Sequence, residues 1–372
     1  MIIGIDASRA TAVQRTGTEA YAWQLIQALL PPTAVGGHEL RLYVNQPPPE
    51  NWLPPAPHVT IRAIPFPRLW THLRLAAELH QHPPDVFFTP AHVIPATYFG
   101  ASVATVHDLG YHYFPSAHTR QQVAYLRWST RHNARRSRLV LADSQATKDD
   151  LCRFDHINPD KIRVVYPAVD PQLARDLAEP PSLPAGISPP YLLFLSTLQP
   201  RKNVVRLLEA FTAVAEQIPH QLVLAGKLGW QSEPIRAALD ELPTAVRARV
   251  LLPGFVPDMQ KAHLIAGADA LLYPSLHEGF GFPLLEGNVC GTAVLASNSS
   301  SLPELAGEGA ALLVDPLDTA AIATAVRRLA TDETLRQSLV QRGYENVRRF
   351  SWANTAVQTL AILEEAATRQ AK

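Results

Sequence analysis

Short apolar runs alternate along the whole chain with stretches whose apolar positions recur at helical spacing. In the first half the runs predict strands at Ile2–Asp6, Leu40–Val44, Val59–Ile64, Val86–Thr89, Ser102–Val106, Leu139–Ala142 and Ile162–Val165. A second series predicts strands at Tyr191–Ser196, Gln221–Ala225, Val250–Leu252, Ala270–Tyr273, Ala293–Ala296 and Ala311–Val314. Helical patterns separate them; in Val204–Ile218, for example, Leu207, Leu208, Phe211 and Val214 share one face. Repeated strand–helix units imply parallel sheets covered by helices on both faces. Ligands in such sheets bind beyond the carboxyl ends of the strands.

Between the two series lies Glu179 to Pro190, with five prolines in twelve residues and no periodicity. That composition reads as a linker. The expected division is a first domain over 1–180, a linker over 181–190 and a second domain over 191–351. Ser351 suits the N-cap of a final helix over 352–372. A length of 372 residues suits two domains, each with its own core.

Composition narrows the class. Hydrophobic residues make up 47% of the chain, which suits an α/β globule and argues against disorder. The formal net charge is zero, so no global positive field points to nucleic acid. Two cysteines, Cys152 and Cys290, are too few for a disulfide framework and fit a reducing cytoplasm. Cys290 reads as a small buried residue more readily than as a reactive thiol. MIIGIDASRA reads as a first strand, not a signal peptide. No apolar run approaches the roughly 18 residues that span a bilayer. The 33 prolines cluster in loops such as Pro47–Pro49 and Pro54–Pro55.

The most informative stretch is Ala268 to Gly291, ADALLYPSLHEGFGFPLLEGNVCG. A buried strand leads to Glu278, then to Gly279, Phe280, Gly281, Phe282 and Pro283, then to an apolar segment carrying Glu286. Pro283 fits a first helical turn, where its missing N–H costs nothing. The glycines let backbone amides approach a ligand, and a helix N-terminus favours phosphate. The two carboxylates cannot bind phosphate, but they suit hydroxyl donors such as ribose and a sugar. Together these features suggest a nucleotide-sugar transferase.

The Glu-x7-Glu spacing, inside YPSLHEGFGFPLLEG and followed by GTAVLASNSSSLPELAG and ALLVDP, resembles the signature of the retaining family 4 glycosyltransferases. That resemblance implies an α/β GT-B fold: two facing Rossmann-like domains with parallel sheets and a deep interdomain cleft. It implies that the last helix packs back on the first domain, with Arg348–Ala356 as the crossing point. The implied reaction moves a hexose from a nucleotide diphosphate sugar to a hydroxyl, with retention, no metal and no cofactor. GDP-mannose leads among donors, because the Arg-Lys-Asn loop resembles mannosyl-transferring members; UDP-sugars follow.

Further residues fall into place around this reading. Arg201 and Lys202 follow the strand YLLFLST and precede a helix, where cations oppose the helix dipole, so an anionic ligand explains them. They suit the charge that builds on a diphosphate leaving group. Ser196 and Thr197 depart from the family's usual residues in this loop. By resemblance, Glu286 takes the ribose hydroxyls, Glu278 the donor sugar, and Gly279 to Phe282 the diphosphate. Val256, after Pro253–Phe255, would line the base through its backbone. His107 in VATVHDL lies just past a strand, and the resemblance puts it near the transferred sugar. Asp108 beside it suits a loop-orienting role. Gly17, in Arg15–Glu19, is either a close-approach glycine at a helix start or a plain tight turn. Lys227 is as well explained by a solvated loop. No His, Cys or Asp cluster has metal-ligand spacing.

Thr119 to Arg138 holds six arginines and no acid, interleaved with Tyr125, Leu126 and Trp128. A packed helix with solvated arginines is the plainer reading; weak peripheral contact with the inner face of a membrane, or with a lipid-linked acceptor, is the other. Gly287–Val289 and Tyr166–Asp170 also depart from the family pattern, which predicts small packing shifts. Two other readings stay open: a different nucleotide-sugar or sugar-phosphate enzyme on the same fold, or a non-catalytic subunit of glycan biosynthesis.

Overall fold

The computed structural model describes residues 1–12, 15, 17–91, 93–115 and 119–368. The chain forms two compact units, one of Met1–Ala168 with the chain from Phe350 onward, the other of Val169–Arg349. All thirteen expected strands are present, with ends shifted by a residue or two.

The first unit is built on seven parallel strands: β1 (Ile2–Asp6), β2 (Glu39–Val44), β3 (Val59–Ala63), β4 (Val86–Thr89), β5 (Ser102–Val106), β6 (Leu139–Ala142) and β7 (Ile162–Val164). Their order is β3-β2-β1-β4-β5-β6-β7. Strands β4, β5 and β6 are buried at every position, which is why they read as unbroken apolar runs. The helix Trp352–Thr368 packs on the helix Gly17–Val35 and on β4 and β5, so the last stretch of chain completes the first unit's helical layer. Residues 369–372 of the expected final helix, and Thr16 of the loop before Gly17, lie outside the described residues.

The second unit repeats the plan with six parallel strands: β8 (Tyr191–Leu195), β9 (Gln221–Ala225), β10 (Val250–Gly254), β11 (Ala270–Tyr273), β12 (Ala293–Ser297) and β13 (Leu312–Val314). The order is β10-β9-β8-β11-β12-β13. Leu192, Phe194, Leu207, Leu208 and Phe211 lie in one fully buried cluster between sheet and helices. In each sheet the chain runs outward one way and then returns to build the other side. The reversals fall between β1 and β4 and between β8 and β11, and such switch points open a crevice for ligands at the strands' carboxyl ends.

Not every proline sits in a loop. Pro31 and Pro32 lie inside the helix Gly17–Val35, near its end. Each lacks the N–H that would continue the helical ladder. The buried Thr33 hydroxyl turns back onto the carbonyls of Leu29 at 2.6 Å and Leu30 at 3.1 Å.

One glycine fixes the loop after β8. Gly226 has φ +146°, and a Cβ there would lie 1.9 Å from the Ser196 carbonyl oxygen. Gly226→Ala must therefore push away the backbone that leads to Arg201. We expect a stability loss of about 3 kcal/mol, read as a lower urea midpoint at unchanged slope.

Candidate functional site

In the second unit the switch point brings two separate parts of the sequence together. Strands β8 and β11 pair side by side, with Leu193 opposite Leu271. The loop after β8 carries Arg201 and Lys202; the loop after β11 carries Glu278. Arg201 Nη1 lies 2.9 Å from Glu278 Oε2, and Lys202 Nζ lies 2.6 Å from Glu278 Oε1. Lys202 also donates to the Tyr273 hydroxyl at 2.8 Å, and Arg201 donates to the His277 carbonyl. Glu278 is only 5% exposed. Burial alone would raise its carboxyl, but Arg201 and Lys202 outweigh burial and hold it at about 2. The carboxylate is therefore ionised at any physiological pH. It offers about four acceptor positions, of which the cations occupy two.

Neighbouring loops hold this cluster in place. Asn203, in the left-handed conformation at φ 62°, donates its amide to the carbonyls of Pro274 at 3.0 Å and Pro316 at 2.7 Å. The Leu276 amide donates to the Arg201 carbonyl at 2.9 Å. The serine run after β12 laces the Glu278 loop. Ser300 Oγ accepts from the Glu278 amide at 2.9 Å, and Ser301 Oγ donates to the carbonyls of Glu278, at 3.0 Å, and Phe280.

Gly279, Phe280, Gly281 and Phe282 lead into the helix Phe282–Val289, with Pro283 in its first turn. Gly281 has φ +121°, which requires glycine, and a Cβ there would also lie 2.5 Å from Leu302 Cδ2 and push that methyl aside. Glu286 belongs to a second pair, with Lys261 of the helix Asp258–Ala266. Burial pulls the Lys261 ammonium down, but Glu286 more than restores it and its proton is held above the usual lysine range. Val256 is buried just after β10, beside exposed Phe255, over which Lys227 sits at 4.9 Å. Cys290 is buried, and burial with Glu286 nearby pushes its thiol up to about 12. It is not a reactive thiolate. Gly287 and Asn288 prove structural. A Cβ on Gly287 would meet Val294 at 2.6 Å, while buried Asn288 donates to the Ala310 carbonyl and accepts from Asn346.

The first unit assembles its own polar group from three adjacent strand ends. Pro90 follows β4, His107 follows β5 and Asp143 follows β6. His107 Nδ1 lies 2.6 Å from Asp143 Oδ2, and Nε2 lies 2.9 Å from the Pro90 carbonyl. A carbonyl only accepts, so Nε2 carries a proton. The short contact to Asp143 then requires a second proton, shared between ring and carboxylate. Burial opposes a charged ring, but Asp143 overcomes it and raises the His107 pKa. Tyr21 meets the ring edge-on at 4.8 Å. Asp108 accepts from the Gly110 amide at 2.9 Å, as a loop-orienting residue does. Gly17 begins the helix Gly17–Val35, and a Cβ there would meet open space. Among the described residues no three His, Cys, Asp or Glu side chains gather as a metal-ligand set.

Sequence reasoning missed Asp143, Lys261 and the serines at 300 and 301. Asp143 stands one residue past β6, as His107 stands one past β5, so strand alignment would have found it. Lys261 sits mid-helix with no local cue.

Two family models match the chain in sequence: Glycosyltransferase Family 4 over residues 15–173, and Glycosyl transferases group 1 over residues 179–346. The chain is 31% identical over 271 residues to the O-antigen chain mannosyltransferase B of Escherichia coli, covering 70% of this chain and 69% of that protein. It is 30% identical over 232 residues to the serotype-specific mannosyltransferase WbdA of Escherichia coli, covering 59% of this chain and 28% of that protein. Among solved structures, a sucrose-phosphate synthase from Thermosynechococcus elongatus superposes with a TM-score of 0.73 at 20% identity, over 98% of both chains. WaaG, a glycosyltransferase involved in lipopolysaccharide biosynthesis, does so with 0.70 at 18% identity, over 98% of this chain and 99% of that one. The chain belongs to the group 1 glycosyltransferases of the GT-B fold, a family that uses nucleotide-sugar donors.

Proposed function

We propose that the chain transfers a hexose, with mannose as the leading sugar, from a nucleotide diphosphate sugar to a hydroxyl of a glycan or lipid-linked acceptor. The anomeric configuration is retained, and the product belongs to glycan or polysaccharide biosynthesis in the cytoplasm. The observation that carries this reading is the pair of cations clamped on one buried carboxylate at the second unit's switch point. Two cations and one carboxylate leave one net positive charge beside a glycine-bearing helix start. That arrangement suits a diphosphate whose negative charge grows as the sugar leaves.

In the proposed reaction, the bond from the anomeric carbon to the diphosphate oxygen breaks. The acceptor oxygen bonds the same carbon from the same face, and its proton passes to the leaving diphosphate. Arg201, Lys202 and the backbone from Gly279 to Phe282 receive the diphosphate. Glu278 accepts a sugar hydroxyl on the lone pairs its cations leave open. Glu286 takes the ribose, and the backbone at Val256 lines the base. For the first unit, the reading assigns His107 and Gly17 to the reacting sugar. The names of the relatives, both mannosyltransferases, support mannose as the sugar. GDP-mannose stays ahead of UDP-sugars only on the resemblance of the Arg201–Asn203 loop.

Calorimetric titration with GDP, UDP and ADP, without added metal, tests the donor site. Tight binding of one nucleotide is expected and names the base. Failure of all three removes the reading. Proton NMR of the glycoside formed from the matching donor then reads the anomeric configuration, and inversion contradicts the proposed same-face attack.

A further inference from the structure

The first unit carries one strongly charged and aromatic surface that donor chemistry does not use. The helix Arg120–Arg136 opens with a capping box between Thr119 and Gln122 and contains no acidic residue. Arg120, Arg127, Arg131 and Arg135 are exposed, and helical spacing puts them on one stripe. Of these four, only Arg131 has a carboxylate partner among the described residues, Asp155 at 3.0 Å. Like charges at i and i+4 repel. The chain as a whole holds equal numbers of acidic and basic residues, so this is a local concentration of charge.

Large apolar side chains border that stripe instead of packing inward. Trp128 and Tyr125 are exposed on the same helix, and Trp128 stacks on His132 at 5.2 Å. The Trp128 ring also meets His72 at 5.9 Å. His72 lies in the short helical segment Thr71–Leu75, next in sequence to exposed Leu73, and Leu69 just before the segment is 67% exposed. At the other end, the Arg136 guanidinium lies 4.0 Å over the ring of Phe99, which is 76% exposed. Arg127, Trp128, Arg131, His132, Arg135 and Arg136 line a shallow, open depression along this helix.

We propose that this face docks the protein onto an anionic lipid bilayer. The arginines meet headgroup phosphates, and Trp128, Tyr125, Leu69, Leu73 and Phe99 enter the interfacial layer. Cations in a band with tryptophan, tyrosine and aliphatic tips beside them match the two layers of a bilayer surface. A nucleic acid would leave Leu69, Leu73 and Phe99 without a partner. A second copy joined about a twofold axis would set arginine stripe against arginine stripe. The proposal does not depend on the transferase reading.

The test is co-sedimentation of the full chain with vesicles of phosphatidylglycerol mixed equally with phosphatidylcholine, and with vesicles of phosphatidylcholine alone. Binding is expected to the mixed vesicles only, weakening as salt is raised. Arg127→Glu with Arg135→Glu lowers vesicle affinity by about tenfold or more. Phe99→Ser, on a different element, weakens it by a smaller factor. Thermal unfolding and nucleotide calorimetry establish that each variant is folded. Equal binding to neutral vesicles, no binding to either kind, or unchanged binding by both variants overturns the proposal. So does full competition by inorganic pyrophosphate, which would mark a soluble-phosphate site. A self-association abolished by the double variant would assign the face to a second copy.

Discussion

Glu278→Gln keeps nucleotide binding, loses turnover by about a hundred- to a thousandfold and unfolds more easily by about 3 kcal/mol. The three effects have one origin. Glutamine has nearly the shape of glutamate but no charge, so Arg201 and Lys202 lose their common counter-charge while remaining largely buried. An uncompensated buried charge is costly, which sets the stability loss. The same two cations are then freer to receive a diphosphate, so added nucleotide should raise the melting temperature more in the variant than in the wild type. Turnover falls because a neutral amide, with one acceptor oxygen and an NH2 in place of the other, replaces the charged carboxylate proposed to hold the donor sugar. The wild type carries a pH signature of the same clamp. Its Glu278 pKa is lowered from the usual 4.5 to about 2. A lowered carboxylate pKa gives stability that is fully present above 4.5 and is lost as pH falls towards 2, about 3 kcal/mol in all. The variant lacks that component, so its acid-unfolding curve is flatter in this window. Turnover at the wild-type level would remove Glu278 from the chemistry; identical acid unfolding would mean that the clamp does not form in solution.

The fold was legible because both sheets are parallel and covered. Strands buried on both faces read as continuous apolar runs rather than as alternating ones, and the runs at Leu139–Ala142 and Ala270–Tyr273 mark such strands directly. The loop residues after β8 and β11 were legible one by one, because cations at a helix start and glycines before Pro283 have local physical meanings. Their partnership was not. Arg201 and Glu278 are 77 residues apart, and only the strand order places β8 beside β11. The same holds for His107 and Asp143, which meet because β5 and β6 are neighbours. The serine run before Leu302 looks in sequence like any polar loop. Its part in holding the Glu278 loop depends on hydroxyl directions that no spacing encodes.

Asp143→Asn lowers turnover by about ten- to a hundredfold while nucleotide affinity stays unchanged, the equivalent of losing one charge-assisted hydrogen bond of about 1.5–3 kcal/mol. In the wild type, His107 serves two acceptors, Asp143 through Nδ1 and the Pro90 carbonyl through Nε2. A neutral imidazole has one N–H and can serve only one of them. Asparagine has no charge to hold the second proton, so the variant ring is neutral: Nε2–H stays on the Pro90 carbonyl, Nδ1 can only accept from the asparagine amide, and the charge-assisted bond is lost. The titration moves as well. Burial favours the neutral ring and Asp143 opposes it, so removing the carboxylate leaves burial dominant and drops the His107 pKa below the usual 6.5. For the wild type the sign is the reverse. A raised histidine pKa contributes stability that is present below 6.5 and is lost as pH rises through the folded-state value. NMR titration of the His107 ring in the two proteins reads this directly, and steady-state kinetics read the rest. Nucleotide affinity should hold because the groups proposed to hold the donor, Arg201, Lys202, Glu278 and Glu286, all belong to the second unit. A variant whose His107 titrates as in the wild type and whose turnover is intact would reduce Asp143 to a buried structural acid.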